Sequence, residues 1–132
     1  MKRLVLVAGI TLMLLGCGSE PTFEGRPVRY WKQQLKSNDY MARHRACTML
    51  YTAGSPHADE AVPDLITCLH DPEFLVRIEA AKALGRLDPA VSRLAVPDLI
   101  QQLQDPHPGV RLTATEVLQK LDPAAAAQAG VR

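Results

Sequence analysis

The chain has 132 residues, which leaves room for a single domain. Its 47% hydrophobic content is that of a folded protein, and only 5% aromatic residues suits thin, closely packed helices better than a sandwich or barrel. A formal charge of +1 argues against a general nucleic-acid binder, which would carry a strongly basic stripe.

The N-terminus reads as a processing segment rather than part of the fold. Met1-Lys2-Arg3 is a basic start, and Leu4 to Leu15 is an uncharged apolar run of 12 residues. A membrane span needs about 20 residues, so this run fits the apolar core of a secretory signal. Leu14-Leu15-Gly16-Cys17 then resembles the bacterial lipoprotein box. The resemblance implies cleavage after residue 16 and lipidation of Cys17, so that a lipid at the N-terminus holds the chain to a membrane. Gly18 and Ser19 stand where an Asp often retains such lipoproteins at the inner membrane, which points to the outer membrane of a cell envelope. Residues 17–27 are expected to be a lipidated tether. Pro21, Gly25 and Pro27 interrupt its polar residues, so it reads as loop.

Cleavage would leave 13 basic and 14 acidic residues. From Cys17 to Ser55 there are six basic residues against three acidic, and from Pro56 onward seven against eleven. The membrane-proximal end is therefore the positive one, a basic patch placed to touch anionic headgroups, with plain solvated faces as the alternative.

The body of the chain is periodic. Ala61 to Ala90 and Ala95 to Ala124 align at an offset of 34 with 17 of 30 positions identical. Such self-similarity is the mark of a stacked-repeat architecture. A third copy is legible upstream in the same register: Leu35 for Leu69, Arg43 for Arg77, Ala46 for Ala80 and Leu50 for Leu84. The fold class expected is all-α, a short α-solenoid of about three stacked helix pairs over residues 28–60, 61–94 and 95–123. Each repeat opens with an i, i+3, i+4, i+7 stripe, Val62, Leu65, Ile66 and Leu69 in the second and Val96, Leu99, Ile100 and Leu103 in the third. Pro63 and Pro97 belong in the first turn of these helices. Asp71-Pro72 and Asp105-Pro106 are expected to cap and start the second helix, with Ser37 as cap in the first repeat. The second-helix stripe runs through Ala46, Met49 and Leu50, then Ala80, Ala83 and Leu84, then Ala114, Val117 and Leu118. In the first repeat Tyr30 and Trp31 are candidates for an aromatic cap on the open end, with an exposed aromatic site as the sharper alternative. One repeat alone cannot offset the chain entropy of ordering 34 residues, so stacking is obligatory and stability modest. Residues 124–132 read as a flexible tail.

The tetratricopeptide repeat shares the 34-residue period, but its Trp-Leu-Gly-Tyr spacing is absent. Pro63-Asp64-Leu65-Ile66, Asp71-Pro72, Val76-Arg77, Ala80-Ala81 and Ala83-Leu84-Gly85, with their third-repeat copies, resemble the short bacterial HEAT repeat. That resemblance implies a ladder between neighbouring repeats through Asp71, Arg77, Asp105 and Arg111. Arg43 continues it in the first repeat, where Ser37 replaces the Asp and leaves that contact in doubt. It also implies protein binding along one helix face. The exposed second-helix positions are His44, Arg45, Thr48, Glu79, Lys82, Arg86, Thr113, Glu116 and Lys120, and their mixed charge suits a protein or peptide of the cell envelope. The family further suggests bilin lyases or lyase subunits, against which the export signal argues, and HEAT-like nucleic-acid binders, against which the acidic distal repeats argue.

Nothing in the chain spells out catalysis. Phosphate-binding glycine loops and nucleophile motifs are missing. Cys68 and His70 lack a second pair at zinc spacing, so neither a metal nor a cofactor is expected. Cys47 and Cys68 would meet an oxidising compartment, and their placement on the core sides of different helices favours free thiols over a disulfide. The reading is a non-catalytic, membrane-anchored protein-interaction module, with no nucleic acid expected as partner.

Overall fold

The computed structural model describes residues 20–132. The expected signal segment and Cys17 lie outside them.

The described chain opens with two short strands, β1 (Thr22–Phe23) and β2 (Arg26–Pro27), paired antiparallel with Phe23 opposite Arg26. Glu24 and Gly25 form the two-residue turn with φ of 50° and 69°. Positive φ at both central positions is what a tight hairpin of this hand requires, and a glycine at the second makes it affordable. Residues expected to be tether loop are thus a hairpin at this end. Strands of two residues are too short for alternation to show in the sequence.

Three helix pairs follow. The first is α1 (Val28–Gln34) and α2 (Tyr40–Ala53), the second α3 (Val62–Cys68) and α4 (Phe74–Arg86). A one-turn helix α5 (Pro89–Ser92) leads to the third pair, α6 (Val96–Gln102) and α7 (Pro108–Leu121). Each first helix packs on the second helix of its own repeat, and α2, α4 and α7 stack side by side as a continuous layer. Short 3-10 turns at Asp59–Ala61 and Arg93–Ala95 feed α3 and α6. Pro63 and Pro97 sit in the first turn, where the missing amide costs nothing.

The core repeats with the chain. Leu50, Leu84 and Leu118 are fully buried at one register, as are Ala46, Ala80 and Ala114, Leu65 and Leu99, and Val76 and Val110. These are the stripe positions that the periodicity predicts, and together they form a solenoid of three stacked pairs.

The helix starts differ from expectation. Asp71 and Asp105 do not cap α4 and α7. Their Oδ1 atoms accept from Glu73 N at 3.0 Å and His107 N at 2.8 Å, which closes a side-chain turn one step before each helix. Glu73 and His107 are the N-cap residues, and the His107 ring nitrogen accepts from Gly109 N. In the first repeat the cap is Asp39, not Ser37. Asp39 accepts from Met41 N, while Ser37 Oγ accepts from Asp39 N.

The tail is also ordered. Asp122 caps α8 (Pro123–Gln128), Ala126 is buried, and Val131 packs against the core. Residues 124–132 are therefore a docked end cap rather than a flexible tail. Ala-rich sequence hides this, because alanine carries little hydrophobic contrast from which to read a face.

Candidate functional site

Arginine and aspartate side chains connect the repeats. Arg43 Nε lies 2.6 Å from Asp71 Oδ2, and its Nη2 donates to Oδ1 at 3.0 Å. One repeat further, Arg77 Nε lies 2.9 Å from Asp105 Oδ2, and Nη2 donates to Oδ1 at 3.1 Å. In both pairs the side chains are only 14% and 7% exposed, so these ion pairs, bidentate at Arg43 and hydrogen-bonded through Nη2 at Arg77, are largely shielded from water. Each arginine also donates through Nη1 to the turn that starts its own second helix, Ser37 O, Asp71 O and Asp105 O, every time at 2.8 Å. The Asp71 carboxylate beside Arg43 raises that guanidinium's pKa above its ordinary value.

The doubtful first rung is present. The ladder runs from the arginine of one repeat to the aspartate of the next, so Arg43 needs Asp71 and does not need an Asp at 37. Ser37 stands where an acceptor from an earlier repeat would be used. A second register was not anticipated: Lys36 Nζ lies 3.5 Å from Asp64, and His70 Nε2 lies 2.7 Å from Asp98. Its trace was visible in the repeated Asp64 and Asp98, but the partner position changes from Lys to His.

Seven of the nine expected binding residues fall in two places on the second-helix layer. His44, Arg45 and Thr48 line a concavity of about 560 Å³ between the hairpin, α1 and α2. Its apolar surfaces are Tyr30, Trp31, Met41 and Met49, and its carboxylates are Glu24 and Asp39. Trp31 is only 5% exposed and donates from Nε1 to Phe23 O at 3.0 Å. Tyr30 meets it edge-on at 5.0 Å, with Arg26 over the Tyr30 ring. The aromatic pair thus sits under the hairpin, and Trp31 is no exposed docking aromatic. Arg45 bonds Glu24 and lies 5.8 Å from the Trp31 ring centre. The hairpin residues Phe23 and Glu24 escape a sequence reading because their role depends on the turn that folds them back.

Lys82, Arg86, Glu116 and Lys120 line a shallower groove of about 360 Å³ between α4 and α7, together with Tyr51. Lys120 Nζ donates to Gly85 O, and the Arg86 guanidinium lies 5.7 Å from the Tyr51 ring centre. Glu79 pairs with Lys82 at 2.7 Å. Thr113 belongs to neither place. It is buried, and its hydroxyl donates to Gly109 O at 2.9 Å. A threonine one turn along from a helix start can satisfy itself on the backbone and pack its methyl inward, so polarity alone misassigns it.

The basic character of the first repeat is mostly spent internally. Arg29 pairs with Glu20, Arg45 with Glu24, Lys36 with Asp64 and Arg43 with Asp71. Cys47 and Cys68 are both free and buried. Hydrogen bonding to Cys68, and then burial, push the Cys47 thiol above its ordinary range. Among the described residues no group of three or more His, Cys, Asp or Glu gathers to hold a metal ion, and no helix is long and apolar enough to cross a membrane.

The second-helix layer thus carries an apolar-lined recess beside α2 and a charged groove between α4 and α7. No curated protein matches the chain. The family model described as HEAT repeats matches residues 28–94, the first two helix pairs. The third pair repeats the second at the same register and closes the same ladder, and the chain belongs to the HEAT-repeat family.

Proposed function

We propose that this chain is a non-catalytic, membrane-anchored adaptor of a bacterial cell envelope, held by lipid on Cys17 and binding a protein or peptide through its second-helix layer. HEAT repeats generally mediate protein binding. The observation that carries the reading here is the recess beside α2. It offers an apolar floor for one anchoring side chain, with carboxylate, amide, imidazole and guanidinium groups at its rim. The N-terminal pattern of basic start, 12-residue apolar run and Gly16-Cys17 supports the anchor. Each buried lipid methylene contributes about 0.8 kcal/mol, so two or more acyl chains would hold the protein firmly. The pattern after Cys17 favours the outer membrane where the host has one. Four of the six basic residues from Cys17 to Ser55 are paired with carboxylates, which weakens a headgroup or nucleic-acid reading of that end.

The test is a crosslinking pull-down from membranes, with wild type beside Cys17→Ser. One reproducible envelope protein, captured by wild type and lost in the variant, is the expected result. Equal capture by a soluble Cys17→Ser protein would keep the adaptor and discard the anchor. Absence of any specific partner in both forms would sink the reading.

A further inference from the structure

Each junction between repeats uses the same three contacts, and the second junction adds a fourth. An arginine fork takes a carboxylate, as Arg43 takes Asp71 and Arg77 takes Asp105. The residue just after the first helix's end takes a second carboxylate, as Lys36 takes Asp64 and His70 takes Asp98. The carbonyl at the first helix's C-cap accepts from the next repeat: Leu35 O from Cys68, and Leu69 O from Gln102 at 2.8 Å. At the second junction an apolar residue on the second helix also abuts the next helix's start, as Ile78 does beside Gly109, where the first repeat has His44.

The third repeat presents all four again: Arg111, Gln104, the Leu103 carbonyl and Leu112. Arg111 keeps its bonds to Asp105 O and Pro106 O, yet no carboxylate reaches its fork among the described residues. Gln104 and Arg111 are exposed, and Leu112 is 61% exposed. The rest of this end is closed. Gln119 stands where Gly85 admits the next helix, its amide donates to Arg132 O at 3.3 Å, and α8 covers the C-terminal part of α7. Half of the terminal face is sealed, and the half that carries the junction contacts is not.

We propose that this open half-face docks a helix pair of a partner protein that carries one carboxylate at its inter-helix turn and a second seven residues earlier, the spacing of Asp64 to Asp71 and of Asp98 to Asp105. Arg111 receives the first carboxylate bidentately, Gln104 donates to the second, and Leu112 packs on the start of the partner's second helix. A second copy of this chain does not fit, because its first repeat has Tyr30 and Ser37 where the others have those aspartates. The proposal rests on the protein-binding reading above but places the contact on the end face instead of the second-helix layer.

The experiment is photo-crosslinking of the full-length protein in its host cells, with a benzophenone amino acid at Leu112 on the end face or at Lys82 on the second-helix layer. The expected result is capture of another protein from Leu112, with a crosslinked segment that contains an Asp or Glu. Arg111→Glu and Gln104→Glu should each lower that capture at least fivefold. Gln104→Glu is an exposed change with no bonds to lose, so it tests the contact even if Arg111→Glu disturbs its turn. An arginine in place of the partner's turn carboxylate should restore capture by Arg111→Glu. Capture from Lys82 alone overturns this proposal and leaves the adaptor reading intact. Capture from Leu112 that ignores both substitutions, or capture of a second copy, overturns it too. Silence at both positions removes both readings.

Discussion

Arg43, Arg77 and Arg111 share one sequence context and differ in what faces them. The first two are enclosed with a carboxylate, and the third is exposed and has only backbone acceptors. Their substitutions should differ accordingly. Arg77→Ala strands Asp105 in a site where it is 9% exposed, and should cost about 3 kcal/mol in urea unfolding. Replacing both partners, Arg77→Met with Asp105→Leu, should recover most of that, because neither charge is then left alone. Arg111→Ala should cost less than about 1 kcal/mol. Equal losses at Arg77 and Arg111 would mean that the arginines act through their own turns rather than through the ladder. The recurrence of these arginines and aspartates was readable at the 34-residue offset. Who bonds whom was not. Asp71 is six residues from Arg77 yet its carboxylate serves Arg43, which lies 28 residues away, and spacing along the chain cannot separate a reach to one's own turn from a reach to a neighbour.

Among the elements, the second helices do most of the joining, and Gly85 sets how closely two of them approach. A Cβ on Gly85 would stand 3.1 Å and 3.3 Å from the two γ-carbons of Val117. Alanine favours helix by up to about 1 kcal/mol over glycine, but valine has little rotamer freedom with which to yield. Gly85→Ala alone should destabilise the fold by about 1 kcal/mol net through overpacking. In a Val117→Ala background the same change should become stabilising, and a thermal melt of the four proteins reads the reversal. The first helices have seven residues each and would not persist alone. They were legible because their stripes are strong and their prolines repeat. The hairpin and α8 were not: two-residue strands show no period, and an alanine run reads alike as helix, cap or fray. For the recess, His44, Arg45 and Thr48 were found as exposed helix positions, but Glu24 arrives from the hairpin and Met49 as an assumed core residue.

At the scale of the molecule, the array has different devices at its two ends. The N-terminal end is closed by a hairpin over Trp31, and the C-terminal end by α8 over part of α7. Truncation after Asp122 removes Ala126 and Val131 from the core and wets Leu118 and Leu121. It should lower unfolding free energy by roughly 2 kcal/mol and sharpen no other property. An unchanged midpoint in urea would show that α8 is ornament. Both devices fit a terminal repeat that must present one face without a neighbour.

The ladder's direction has a consequence for ancestry. Arginine reaches forward to the next aspartate at both internal junctions, so the rung itself is interchangeable between them. Excision of residues 62–95, one period, would join Ala61 to Val96 in place of the identical Ala95-Val96 and set Arg43 opposite Asp105 in the same bond. Duplication of that segment would insert a rung and orphan nothing. Copying errors at the 34-residue period would therefore change the length of the array and keep its ladder whole, and the change that excision still demands is at Tyr51, which would take the place of Gly85 against Val117.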